Sequence, residues 1–144
     1  MIVVADASVL VAELVRKRGR ALLARPDVRI VVAKEQWDET GYELGKRLDA
    51  MTRQGRLTED QATDLLASIA ELVSSGAIEV IDRQFYAHNE LIARRRVPRD
   101  PHDWPPVALA MTLQAGILTG DHDFLGCGCP TWTVETLREE LDAP

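Results

Sequence analysis

The sequence predicts an α/β protein, a three-layer α/β/α sandwich around a mostly parallel central sheet of about five strands. Three observations predict it. Short apolar runs recur along the chain, at "IVVA" (2–5), "VRIVVA" (28–33), "AIEVID" (77–82), "ILT" (117–119) and "TWTV" (131–134), and stretches of helical periodicity separate them. The runs are short and apolar rather than alternating, the pattern of strands buried on both faces of a parallel sheet. With 144 residues and 46% hydrophobic content, the chain can bury one sizeable core, so residues 1–144 are read as one domain.

Each helix has its own signature. In "SVLVAELVRKR" (8–18), Val9, Leu10, Ala12, Leu14 and Val15 follow a helical pattern, and Gly19 and "ARPD" (24–27) punctuate the chain before the second strand. "KEQWDETGYELGKRLDAM" (34–51) reads as a long helix with Trp37, Gly41, Leu44, Leu48 and Met51 on one face. "LTEDQATDLLASIAELVSSG" (57–76) opens on a Thr58 cap with acids in its first turn and stops at Gly76. "FYAHNELIARRR" (85–96) reads as a helix that ends before Pro98. "DWPPVALAMTLQAG" (103–116) carries two prolines in its first turn, where missing N–H groups do no harm, and is expected to end at Gly116. "ETLREELDA" (135–143) closes the chain, and no internal repeat or low-complexity linker interrupts it.

Composition narrows the function. Seventeen basic against twenty-three acidic residues give a net charge of −6, which argues against nucleic-acid binding by overall charge. Two local basic clusters remain, "RKRGR" (Arg16 to Arg20) and "RRRVPR" (Arg94 to Arg99), which read either as solvated faces or as a polyanion surface. Cys127 and Cys129, spaced C-G-C, are too close for an unstrained disulfide and lack the partners of a zinc site, which fits a reducing compartment. No apolar stretch has the length of a signal peptide core or a membrane span, so a cytoplasmic protein is expected.

The chemistry-bearing positions are those that follow the strands, because open α/β sheets bind ligands beyond their carboxyl ends. Carboxylates recur there. Asp6 follows the first strand, "DETGYE" (38–43) the second, and Asp121 and Asp123 the fourth, while Asp100 and Asp103 open the helix leading into it. Singly, each has an ordinary explanation: Asp6 and Asp103 as helix caps, Glu39 as a solvent-facing residue, Asp121 and Asp123 as turn residues. Together, such acids would raise one another's pKa unless a divalent cation compensated, and all-oxygen ligands suit Mg²⁺ or Mn²⁺. No Ser-His-Asp or Cys-His arrangement, P-loop or G-x-G-x-x-G occurs.

"VVADASVLV" (3–11), "VVAKEQWDETGYEL" (31–44) and "DPHDWPPVALAMTLQAGILTGDHDFLG" (100–126) together resemble the PIN domain, the fold of small metal-dependent nucleases that includes the VapC-type toxins. The T-x-D-x-D-F element, Thr119 to Phe124, is the most specific part. The resemblance places the four catalytic and metal-binding acids on Asp6, Glu39, Asp103 and Asp121, with Asp123 supporting the metal site. Asp38 and Glu43 compete with Glu39, and Asp100 with Asp103; helical geometry favours Glu39 and Asp103. "DWPPV" departs from the family's usual small or aliphatic residues. The resemblance implies an endoribonuclease using Mg²⁺ or Mn²⁺, with Arg16, Arg18, Arg94, Arg95, Arg96 and Arg99 available to hold RNA on either side. It further implies the toxin role of a type II toxin-antitoxin pair, a cognate antitoxin, and a homodimer formed through the second to fourth helices. The alternatives are a housekeeping nuclease without an antitoxin and an inactive PIN fold used for binding. A phosphotransfer protein of the haloacid-dehalogenase type is disfavoured because Asp6-Ala7-Ser8 lacks a second Asp, and a response-regulator receiver because no Lys follows position 46.

Overall fold

Val3, Val4 and Ala5 are completely shielded from solvent, and the strand they form is the centre of the molecule. In the computed structural model, which describes all 144 residues, β1 (Ile2–Ala5) lies between β2 (Arg29–Ala33) and β4 (Gly116–Leu118). Outside these pair β3 (Ile78–Ile81) and β5 (Thr131–Trp132), giving the order β3-β2-β1-β4-β5 with every pairing parallel. The expected five-stranded parallel sheet is therefore present. Strand order reverses at β1, so the chain leaves β1 toward β2 and later returns on its other side.

Because successive side chains on a strand point to opposite faces, the sheet divides the core in two. Val3, Ala5, Ile30, Val32, Ile78 and Leu118 join one apolar cluster, whereas Val4, Val31, Ala33 and Ile117 join the other. Helices α1 (Ala7–Leu14), α3 (Lys34–Arg53), α4 (Glu59–Ser74) and α7 (Val134–Asp142) cover the first face, the last through Leu137. Helices α5 (Glu90–Arg96) and α6 (Trp104–Leu113) cover the second. The three-layer sandwich follows from this two-sided burial.

Several boundaries differ from the sequence expectation, each for a local reason. The expected helix over 8–18 ends at Leu14, and a separate helix α2 (Lys17–Leu23) includes Gly19 instead of stopping there. Gly19 is the close contact of that helix pair: a Cβ would lie 2.2 Å from the Glu13 carbonyl oxygen. On α3 the buried stripe is Gln36, Thr40, Leu44 and Leu48, while Trp37 and Met51 are half-buried and Gly41 is exposed. The stripe rotates because two polar residues are hydrogen-bonded in the interior: Gln36 Oε1 accepts from Ala7 N at 2.9 Å, and Thr40 Oγ1 donates to the Gln36 carbonyl at 2.7 Å. The segment 85–96 is helical only from Glu90; 3₁₀ turns cover Arg83–Phe85 and Ala87–Asn89. There Tyr86, completely buried, turns its hydroxyl back to donate to Glu35.

Helix α6 ends one residue before Gln114, which takes the left-handed conformation at φ 52°, not at Gly116. Gly116 instead opens β4, and a Cβ there would meet the Trp132 ring nitrogen at 2.8 Å. The Thr58 cap on α4 forms as expected, and Gln61 extends it to a reciprocal capping box. Cys127 is buried and Cys129 half-buried, both free thiols in the loop before β5.

Candidate active site

Asp6 ends β1 at the centre of the sheet, and only 5% of its surface reaches solvent. Its helix-cap reading does not hold. Asp6 makes no capping hydrogen bond with its side chain; the first N–H of α1, that of Ala7, is satisfied by Gln36. The Asp6 carboxylate is held by two hydroxyls, with Oδ2 accepting from Ser8 Oγ at 2.6 Å and from Thr119 Oγ1 at 2.8 Å. Thr119 Oγ1 also accepts from Asp121 N at 2.9 Å, which locks the loop after β4 to the end of β1.

Asp121 is positioned by its own turn, its Oδ1 accepting from Asp123 N at 2.9 Å. Asp103 stands at the N-terminus of α6 and, like Asp6, makes no capping hydrogen bond. Its neighbour Asp100 does cap the preceding 3₁₀ turn (Pro101–Asp103), accepting from His102 N at 3.1 Å. The two prolines at the start of α6 are buried and anchor that end of the helix in the core, leaving the Asp103 carboxyl half-buried at the surface.

These elements enclose an open cleft of about 350 Å³ lined by Asp6, Ala7, Ser8, Val11, Glu39, Glu43, Arg47, Asp103 and Asp121. Glu39 and Glu43 thus face the same space, whereas Asp38 is on the outer surface, paired with Lys34. On the α6 side, one carboxylate oxygen each from Asp103, Asp121 and Asp123 lie within 4.8 Å of one another. Asp6 and Glu39 line the cleft outside that trio, with Asp6 joined to the Asp121 backbone through Thr119. Asp123 is partly compensated by Arg99 at 3.6 Å.

The crowding is visible in the acidities. Burial pushes the Asp103 carboxyl up to about 7, helped by the charges of Asp100, Asp6, Asp121 and Glu39. Burial also raises Asp6, with Asp121 adding to it, against the opposing effect of the Ser8 and Thr119 hydroxyls. Glu39 is exposed as a residue, yet its carboxyl is raised by partial burial first, then by the charges of Asp6, Glu43 and Asp100. Three acids with raised pKa facing one space are an unsatisfied electrostatic arrangement. Every side chain in the cleft able to ligate a metal offers oxygen, with no thiol or imidazole among the lining residues, so the ligand set fits a hard divalent cation.

The basic clusters fare unevenly. Arg94 donates to Glu90 at 3.1 Å and lies over the Trp104 ring at 5.6 Å. Arg96 reaches the Cys127 carbonyl, and Arg16 lies 3.7 Å from Glu13. Arg18 and Arg95 are exposed. Ser8, Thr119, Gln36 and Arg47 are site residues that reasoning on acids alone does not reach; the first two sit within quoted motifs, D-A-S and T-x-D, where hydroxyls beside the acids were the available signal.

The molecule is a parallel α/β protein whose carboxylates gather at the sheet's switch point, in a cleft whose oxygens suit a divalent cation. The chain belongs to the PIN-domain family, whose model matches residues 4–142. PIN domains are generally nucleases that act on RNA with divalent metals. Among solved structures, the chain is similar to the crystal structure of PAE2754 from Pyrobaculum aerophilum. The identity is 21% and the TM-score 0.64, covering 100% of this chain and 91% of that one. That likeness is one of fold. No curated protein matches the chain. No helix is long and apolar enough to cross a membrane.

Proposed function

We propose that residues 1–144 form one nuclease domain that hydrolyses RNA phosphodiester bonds internally, using Mg²⁺ or Mn²⁺ held by Asp6, Glu39, Asp103 and Asp121, with Asp123 in support. The observation that carries this reading is the shared cleft: acids from four separated stretches of sequence line one space, and three of them have raised pKa. A divalent cation bound there supplies Lewis-acid stabilisation of the phosphate and an acidified water. The chain's own residues provide the frame. Ser8 and Thr119 fix the rotamer of Asp6, the Asp121 turn is fastened to Thr119, and the buried prolines of α6 hold Asp103 in place.

The T-x-D-x-D-F element and the length of the chain resemble VapC-type proteins, which supports a toxin role in a type II toxin-antitoxin pair. The corresponding partner is an antitoxin that covers the acids, and the corresponding assembly is a homodimer in the cytoplasm. An inactive binding module is disfavoured because the full set of acids is kept together.

The test is cleavage of a mixed RNA pool by the purified protein in Mg²⁺, Mn²⁺ or EDTA, beside Asp6→Asn and Asp121→Asn. Cleavage that survives EDTA and both substitutions overturns the metal-nuclease reading. Growth arrest on expression, relieved by the product of an adjacent small reading frame, tests the toxin role separately.

A further inference from the structure

Arg47 is the one cation among the side chains lining the acid cleft. It stands two turns along α3 from Glu39 and one turn from Glu43, so all three share a helix face. Glu43 precedes Arg47 by four residues, the more favourable orientation for an ion pair on a helix. Yet Glu43 pairs with Lys46 at 3.3 Å, and Arg47 makes no ion pair. The other basic candidates near the site are engaged: Arg99 with Asp123, Arg94 with Glu90 and Trp104, Arg96 with the Cys127 carbonyl.

A polyanion approaching this cleft meets the field of the acids that hold the cation, and a neighbouring phosphate, not itself on the metal, is repelled by them. A free guanidinium at the rim counters that repulsion. Its planar fork matches two phosphate oxygens at once, which an ammonium group does not. Eight residues of α-helix separate the Cα atoms of Glu39 and Arg47 by about 12 Å, at 1.5 Å per residue. Arg47 is thus set apart from the acids, on an exposed part of the cleft where a phosphate other than the scissile one would lie.

Resting on the nuclease reading above, we propose that Arg47 is a phosphate-binding residue of the cleft, gripping the RNA backbone beside the cleavage point. It fixes where the strand lies without reading its bases.

The test compares wild type, Arg47→Ala and Arg47→Lys for binding of a short fluorescein-labelled mixed-sequence RNA in Ca²⁺, by anisotropy at several salt concentrations. Cleavage in Mg²⁺ and calorimetric Mn²⁺ titration accompany it. Arg47→Ala is expected to weaken RNA binding and kcat/KM about tenfold to a hundredfold, the range of one hydrogen-bonded contact to a charged group. The slope of log affinity against log salt should shrink by about 0.7, the value for one phosphate on a single strand. Arg47→Lys should restore the slope and part of the affinity, and Mn²⁺ affinity should not fall. Unchanged RNA affinity and slope in Arg47→Ala overturn the inference, as does a parallel loss of Mn²⁺ affinity, which would make Arg47 a part of the metal site's frame. If wild type cleaves no RNA in any metal while Arg47→Ala still loses binding, the nuclease reading fails and the phosphate contact stands.

Discussion

Replacing Asp103 by Asn should stabilise the metal-free protein and weaken the metal-bound one. The carboxyl is pushed up to about 7 from an ordinary value of 3.8, by burial first and then by four neighbouring acids. A group whose folded pKa is raised contributes stability below its unfolded pKa and loses it as pH rises through the folded value. Metal-free stability should thus decline between about pH 4 and pH 7. The shifts of Asp6 and Glu39 have the same sign and reinforce the trend. Asp27 runs the other way, lowered by Arg25, and its contribution falls away only as the solution becomes more acid than that window.

At about 1.4 kcal/mol per pH unit, the full Asp103 shift sets a ceiling near 4 kcal/mol. Asp103 is only half-buried, so solvent screening reduces this to about 1–2 kcal/mol. For a chain of 144 residues that corresponds to a rise in Tm of about 3–6 °C for Asp103→Asn in EDTA at pH 8. Asn is an equally good cap residue, and Asp103 makes no capping bond to lose. With metal at a hundred times its Kd, wild type gains about 2.7 kcal/mol, most of which the variant forgoes. Thermal melts at pH 5 and pH 8, with EDTA or saturating Mn²⁺, read both signs. A wild-type Tm that stays flat between those pH values in EDTA, or an Asp103→Asn variant less stable than wild type there, refutes the claim that these carboxyls are strained without a cation.

Thr119→Val keeps the side-chain shape but removes the hydroxyl that links Asp6 to Asp121 N; it should cost about 1–3 kcal/mol in denaturant melts and lower kcat more than it raises KM. Gly19→Ala would drive a Cβ to 2.2 Å from the Glu13 carbonyl oxygen, and chemical denaturation should show a loss of at least about 1–3 kcal/mol as α1 and α2 are forced apart. Gln114→Gly relieves a left-handed residue at φ 52°, and should raise stability by about 0.5–1 kcal/mol after the greater freedom of the unfolded chain is counted. Gln36→Leu removes the buried acceptor of Ala7 N; it should cost about 1–3 kcal/mol and weaken Mn²⁺ binding, because Asp6 is then free to turn toward the helix end.

The sheet was legible because strands buried on both faces need continuous apolar runs, and Val3–Ala5 and Ile30–Ala33 have no other use for theirs. Positions of Asp6, Asp103 and Asp121 were legible for the related reason that a charge next to such a run calls for a partner. What escaped was whatever depends on a contact distant in sequence. Gln36 and Thr40 look like surface residues on α3 until the end of β1 is placed beside them, which is why the apolar pattern alone puts Trp37 and Gly41 on the core face. Gly19 looks like a helix stop until the Glu13 backbone is seen against it. Arg94 belongs by composition to a basic run, yet Glu90 and the Trp104 ring hold it in place.

Asp6 shows how the fold separates a structural need from a chemical one. A carboxylate at the start of a helix ordinarily satisfies the helix N–H groups, and that use would turn its oxygens away from the cleft. Here Gln36, from α3, takes over the contact with Ala7 N. Relieved of that contact, Asp6 holds two hydroxyls on Oδ2 alone. The residue is almost wholly shielded from water, and that burial is the largest influence on its acidity. A buried carboxylate gains nothing from this unless something positive comes to it, since desolvation already opposes its charge. If Asp6 holds a cation as proposed, the contact of Gln36 with the first N–H of α1 is what leaves the acid available to it.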